Sequence, residues 1–299
     1  MNTEKVGFMV LLGFASMEPE GVLETLSEIG YKAVEWTEAH LDPRRKSVKE
    51  IKRVVDLTKQ YGMEVSSVAV RQDLVVLDEN MREKATDYHL QCIQAFAEAG
   101  ITTINLITGP TKEKLAEPQT GTLVEPGTPI IGKDITEGKA WDMLYESFDI
   151  LVPQAEKCKM NLAVEAVWGM FCHDYYSLRP LIDHYDSDYL GVNLDPSHDV
   201  LAGNLDVGWI VKSWGNKIKH VHLKDAVGIP VLGKFIFPLL GEGNVDWTPF
   251  FKALEEIGYD GYLSVEFESF KYYEQILDHD IKKVAELSWG NIKKLLGRK

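Results

Sequence analysis

Cysteine is scarce. Cys92, Cys158 and Cys172 are the only three among 299 residues. No pair has CxxC spacing and the number is odd, which argues against a disulfide framework and against a cysteine-held metal; a reducing cytoplasm is the expected setting. Positive charge is also short. The 32 lysines and arginines face 46 aspartates and glutamates, a net charge of −14, and a duplex nucleic-acid binder would need a strong basic patch to offset that repulsion. Long apolar runs are missing, since none approaches the roughly 18 residues of a membrane helix. The opening MNTEKVGFMVLLGF has a short apolar stretch, one preceding lysine and no small-residue cleavage site soon after. It reads as a buried first strand rather than a signal peptide. No GxGxxG or GxxxxGK(S/T) follows a strand-like run, which removes the usual nucleotide-binding loops. What is present is ordinary: 45 % hydrophobic and 26 % charged residues, the mix of a globular protein with a core.

Strand-like runs alternate with helical patterns from end to end. The runs are Val6–Phe14, Ala33–Glu38, Glu64–Val70, Thr102–Thr108, Asn161–Trp168, Leu190–Asp195, Ile218–Lys224 and Gly261–Glu268. Between them, Ser47 with Glu50 three residues on forms a capping box, and Val48, Ile51, Val54 and Val55 recur at helical spacing. Asp246 is placed to cap a further helix carrying Phe250, Phe251, Leu254 and Ile257. A weak internal echo repeats helix end, glycine and incoming strand: LSEIGY before AVEW, LEEIGY before YLSVEFE, and AEAGITTINL. Strands separated by helices imply parallel βαβ units. Eight of them in one chain of this length predict a single α/β domain over residues 1–299, a closed (β/α)8 barrel rather than an open sheet. Two long segments, Pro110–Glu137 and Asp225–Val245, follow the fourth and seventh strands and are expected to shape a pocket on the face where barrel active sites lie.

Four late strands end in residues able to hold a ligand. Strand five carries Glu165, strand six Asp195 with His198 beyond it, strand seven His220, His222 and Lys224, and strand eight Glu266 and Glu268. Side chains alternate along a strand, so His220, His222 and Lys224 share one face, as do Ser264, Glu266 and Glu268. One charged residue in an apolar strand is most simply a structural ion pair. Four successive strands ending this way call for a bound cation, because such groups are expensive to bury unpaired. Carboxylates with one imidazole suit Mn²⁺, Co²⁺ or Mg²⁺ better than a thiolate zinc site.

The combination E-(x)29-DPSH, HVHLKD, PLLGEGNVDW and a terminal SVEFE resembles the xylose-isomerase-like sugar isomerase and epimerase superfamily, most strongly from Asn161 to Glu268. Ketose 3-epimerases, hydroxypyruvate isomerase, inosose dehydratase and, more distantly, endonuclease IV belong to it. The resemblance implies a divalent ion, manganese by preference, on Glu165, Asp195, His222 and Glu266. It implies that His198 contacts substrate and that Glu165 and Glu266 also move the proton through an enediolate. It places the metal on the second histidine of HVHLKD. Two residues along a strand differ in depth by about 6–7 Å, so His220 is expected one layer deeper.

The chain departs from the ketose 3-epimerase pattern at Phe171 and Gly228, where those enzymes carry a polar or acidic residue and an arginine. HVHLKD is closer to the inosose dehydratase branch. Dehydration of a keto-inositol or keto-sugar, or cleavage of a C-glycoside, is therefore the alternative to isomerisation and epimerisation. An endonuclease IV-like role is disfavoured by the charge and by the few histidines on the first four strands. Further candidates for the pocket are Lys224, His173, Trp168, Trp36 and Glu35. Each has a plainer reading: ion pair, surface histidine or core aromatic. A small carbohydrate substrate and a homo-oligomer are expected, with no nucleic-acid or membrane partner; a partner subunit is left open.

Overall fold

The computed structural model describes residues 3–109, 131–231 and 233–297. Eight parallel strands among them close into a barrel: β1 (Val6–Met9), β2 (Ala33–Thr37), β3 (Glu64–Val70), β4 (Thr103–Ile107), β5 (Asn161–Glu165), β6 (Leu190–Leu194), β7 (Ile218–Leu223) and β8 (Leu263–Val265). Closure is made where β1 pairs on one side with β8, Val6 opposite Leu263, and on the other with β2, Gly7 opposite Ala33. The expected (β/α)8 barrel is the observed architecture.

Alternation along each strand separates two environments. Val34 and Trp36 of β2, Leu162 and Val164 of β5, Val192 and Leu194 of β6, Val221 and Leu223 of β7, and Leu263 and Val265 of β8 all join one apolar core with the surrounding helices. Burying each such side chain contributes about 1.5–3 kcal/mol. The intervening residues point into the barrel, and toward its C-terminal end they are polar: Glu35, Glu165, Asn193, His220, His222 and Ser264, all buried. Trp36 is therefore a core residue rather than a pocket aromatic, with its indole N–H donating to Thr58 on the neighbouring helix at 3.3 Å.

The predicted helix starts at Val48 and runs to Gln60, and its capping box forms: Ser47 N–H donates to Glu50 at 2.8 Å, and Glu50 N–H donates back to the Ser47 hydroxyl. Asp246 also precedes a helix (Trp247–Glu256), but its side chain makes no capping hydrogen bond, contrary to expectation. The echoed glycines Gly30, Gly100 and Gly258 each follow a helix with φ of 116°, 90° and 71°. That left-handed turn feeds the next strand and suits glycine.

Strand one is shorter than expected and gives way to a 3-10 turn at Leu12–Ser16, while Glu38 opens a short helix (Glu38–Leu41) rather than ending β2. Of the long segment after β4, residues 110–130 lie outside the described residues. The segment after β7 carries a small antiparallel ribbon, Val227–Gly228 against Phe235–Ile236.

Candidate metal centre

Glu165, Asp195, His222 and Glu266 come together at the C-terminal end of the barrel, each offering a ligand atom within 4.8 Å of the others, and all four are buried. Strand geometry brings this about. Glu165 is the last residue of β5, and its pairing partner Asn193 lies two residues before Asp195. Ser264 pairs with His222, which sets Glu266 two residues further toward the same end. His222 Nδ1 lies 2.8 Å from Glu266 Oε2 and 3.2 Å from Glu165 Oε1. Asp195 begins the short helix Pro196–Leu201; one of its oxygens accepts from Ser197 N–H at 2.8 Å. The other oxygen has no aligned hydrogen bond, though the Lys224 ammonium stands 2.9 Å from it.

Lys224 is fully buried among acids. Its Nζ lies 2.9 Å from Glu266, 3.1 Å from Glu268 and 3.1 Å from His198 Nε2. His198 Nδ1 accepts from Trp168 N–H at 3.1 Å. His198 Nε2, the atom beside the Lys224 ammonium, also lies 3.6 Å from Asp195 and 3.9 Å from Glu165. His220 sits deeper, on Glu35 at 2.9 Å and Ser264 at 3.0 Å. Glu35, fully buried, stands behind His222 rather than on the wall of the crevice. Trp168 packs its ring on Phe235, and His173 turns its Nδ1 to its own loop at Phe171; neither lines the crevice.

The crevice above the four residues is walled by Arg71, Ile107, Val167, Met170, His198, Lys224 and Glu268. Arg71 and Asn105 have no counterpart among the predicted site residues. Arg71 immediately follows β3, and its guanidinium lies 3.6 Å from Glu266. Asn105, inside β4, donates to Glu165 at 3.1 Å. A polar residue within or just beyond an apolar strand, in SSVAVR and TINLI, was the available signal.

Electrostatics divide these groups. Burial pushes the Asp195 carboxyl up to about 6 despite Lys224, and the Glu268 carboxyl up to about 7. Burial would raise Glu266 too, but Lys224 and His222 outweigh it and hold it well below the usual range. Glu35 is likewise held low, burial being outweighed by His222 and His220. Burial works against the charged form of His222, yet Glu35, Glu165 and Glu266 raise its pKa well above the ordinary value. Burial and Lys224 both depress His198.

Three carboxylates and one imidazole, converging in a buried cluster with an unaligned Asp195 oxygen, fit a hard divalent cation.

Residues 23–287 match the xylose isomerase-like TIM barrel family. The chain belongs to that family. Among curated relatives it is similar to an inosose dehydratase of Clostridium perfringens, 30 % identical over 169 residues, which is 52 % of this chain and 57 % of the relative. The chain thus spans about half the length of the curated relatives it matches. Its fold is shared with a D-psicose 3-epimerase from Clostridium cellulolyticum H10, whose structure holds D-tagatose (TM-score 0.77, 14 % identity, 98 % of each chain). It is also shared with an IolI protein that binds a zinc atom (TM-score 0.73, 17 % identity, 98 % of each chain). Among the described residues no helix is long and apolar enough to cross a membrane.

Proposed function

We propose that this family member is a divalent-metal-dependent enzyme that moves a proton at the carbon beside a keto-sugar's carbonyl, isomerising or epimerising it through an enediolate. The observation that carries the reading is the convergence of Glu165 and Glu266 with Asp195 and His222 from four adjacent strands. The ion, Mn²⁺ or alternatively Co²⁺ or Mg²⁺, would hold two neighbouring substrate oxygens and acidify the C–H between them. Glu165 and Glu266, arriving from different sides of the barrel, take and return the proton. Return from the opposite face inverts the carbon; transfer to the neighbouring carbon isomerises the sugar. His198, on the wall of the crevice, and Lys224 hold substrate oxygens, while Ile107, Val167 and Met170 exclude water. The reading takes residues 1–299 as one domain working in the cytoplasm on a small carbohydrate.

A second reading, dehydration of a keto-inositol or keto-sugar, draws on one feature of the crevice. The Glu268 carboxyl, pushed up to about 7 by burial, touches Lys224 at 3.1 Å, so a proton donor for a departing hydroxyl stands beside the proton-abstracting pair. The inosose dehydratase relatives point the same way.

Glu266→Gln keeps the size and one oxygen donor while removing the base. With an inosose and a free ketohexose as probes in D₂O, the Mn²⁺-loaded variant should retain metal but lose both turnover and α-hydrogen exchange. Exchange that persists without turnover favours the dehydratase. Normal turnover in both the Glu165→Gln and Glu266→Gln variants ends the mechanism.

A further inference from the structure

Glu35 is a fully buried carboxylate that stands behind His222. An ionised carboxylate in a barrel interior is costly unless donors satisfy it. The donors here are specific. Glu35 Oε2 lies 2.9 Å from His220 Nε2 and 3.0 Å from His222 Nε2, and Asn105 Nδ2 reaches Oε1 at 3.4 Å. His220 is held in turn beside the Ser264 hydroxyl at 3.0 Å, and Ser264 is bridged to Ser66 at 3.1 Å. The chain of contacts thus crosses from β2 to β7, β8 and β3, all within the barrel wall rather than its loops.

A carboxylate only accepts hydrogen bonds, so a histidine nitrogen facing one carries a proton. Without an ion both nitrogens of His222 face carboxylates, and an ion bound by Glu165 and Glu266 takes the place of one of those protons. A neutral imidazole has one N–H. If Nε2 of His222 keeps it for Glu35, the lone pair is left on Nδ1. Nδ1 is the atom that faces Glu266 at 2.8 Å and Glu165 at 3.2 Å. We infer that Glu35, clasped by His220, is a positioning residue that fixes the Nε2–H form of His222 and thereby presents Nδ1 to the ion. The inference rests on the divalent-ion reading proposed above. It also gives the Glu35, His220 and His222 cluster, itself tight enough to hold a cation, a different role: one ion binds per chain, on the far side of His222.

Glu35→Gln is the sharp test. An amide in that place can donate to Nε2 and draw the ring proton to Nδ1, the position the ion needs. Loss of such an orienting partner weakens metal affinity by about 10–100-fold. Zn²⁺, being diamagnetic, serves as the probe, with no substrate present. Calorimetric titration of the parent should give one ion per chain, and E35Q should bind it about 10–100-fold more weakly. Nitrogen-15 spectra of the histidine rings in the Zn²⁺-loaded parent should show His222 protonated at Nε2 and metal-bound at Nδ1. That spectrum needs only the parent protein and decides the matter even if E35Q does not fold. Metal on Nε2, two ions per chain, no ion at all, or E35Q binding as tightly as the parent overturns the inference. A parent that binds one Zn²⁺ through Nδ1 yet converts no keto-sugar fails the proposed function and leaves this inference standing.

Discussion

Asp225→Asn should be among the most damaging isosteric changes available in this chain, although Asp225 is not in the metal cluster. The carboxylate is fully buried and accepts five hydrogen bonds. Oδ1 takes the N–H of Ala226 and of Val245, each at 3.0 Å. Oδ2 takes the N–H of Gly241 at 2.9 Å, and the N–H of Gly243 and the Trp247 indole N–H at 3.1 Å. One side chain thereby pins the segment that follows β7. An asparagine offers only one acceptor side. Turned its best way, it keeps three donors and leaves two buried N–H groups facing its own NH₂. A stranded buried donor costs about 1–3 kcal/mol, so two cost about 2–6 kcal/mol. The three retained bonds also lose their charge assistance, while the easier burial of a neutral amide gives some of this back. A net loss of about 3–5 kcal/mol is expected. Urea unfolding measures it, and amide exchange at Gly241, Gly243 and Val245 locates it. The same segment carries Phe237, whose ring packs on His198 and lies 4.8 Å from Lys224 Nζ, so turnover should fall with every metal ligand still present. A change under about 1 kcal/mol, with those three amides still exchanging slowly, would refute the account. Gly243→Ala should reproduce the defect, since a Cβ there would overlap the Asp225 carboxylate.

Metal removal should abolish turnover, and Mn²⁺ or Co²⁺ should restore it; full activity in chain shown metal-free by elemental analysis would sink the reading. Added Mn²⁺ at a hundredfold excess over its Kd should raise stability by about 2.7 kcal/mol, readable as a shift in Tm. Lys224→Met should destabilise the metal-free protein by about 3–5 kcal/mol, because Asp195, Glu266 and Glu268 lose their shared cation. Saturating metal should shrink that difference, and an equal loss with and without metal argues against a shared charge balance. Asp199, buried and pushed up to about 7 by desolvation, sets a pH trend. Its unfolded pKa is about 3.9, so the folded chain holds the extra proton between those values and stability falls as pH rises through that window, by up to about 4 kcal/mol. Asp199→Asn should flatten that part of the curve and raise Tm at pH 8 relative to the parent; an unchanged slope excludes Asp199 as its source.

The barrel was legible because its strands obey alternation so strictly. Val221 and Leu223 belong to the helix-facing core while His220, His222 and Lys224 face inward. Period two, read from KHVHLKD alone, predicts that division. The residues of the four-membered cluster were legible for a related reason: Glu165, Asp195 and Glu266 each stand at or just past the end of an apolar run and His222 is a polar residue inside one, a pattern that burial penalises unless something binds there. The same rule was too coarse for the first half of the barrel. Arg71 follows β3 as visibly as Glu165 ends β5, yet its bearing on the site depends on the register of β3 against strands far away in sequence, which no local pattern contains. Glu35, a pocket candidate whose plainer reading is an ion pair, is a different case. It belongs to the site by chemistry, but its depth places it behind His222, and depth follows from barrel stagger rather than from spacing.

Loop residues were the least legible, and for a physical reason. His173 and Trp168 both lie just past β5, on the face where barrel active sites sit, and both are residue types that bind sugars. Their orientation is decided by local competition instead. His173 Nδ1 is satisfied by the Phe171 carbonyl at 3.2 Å, and its N–H by the Ser177 hydroxyl at 2.8 Å, within the capping box that starts the next helix. Trp168 gives its backbone N–H to His198 and its ring to Phe235. Trp168 therefore acts on the site through the main chain, by donating its N–H to His198 Nδ1. A Trp168→Phe change leaves that N–H in place and should leave the His198 tautomer unaltered, whereas stacking of the indole on substrate would require the change to raise KM. Measuring KM with the ring nitrogens of His198 followed by NMR separates the two roles. An unchanged KM with an unchanged tautomer keeps Trp168 as a backbone partner of His198, and a raised KM moves its ring into the pocket.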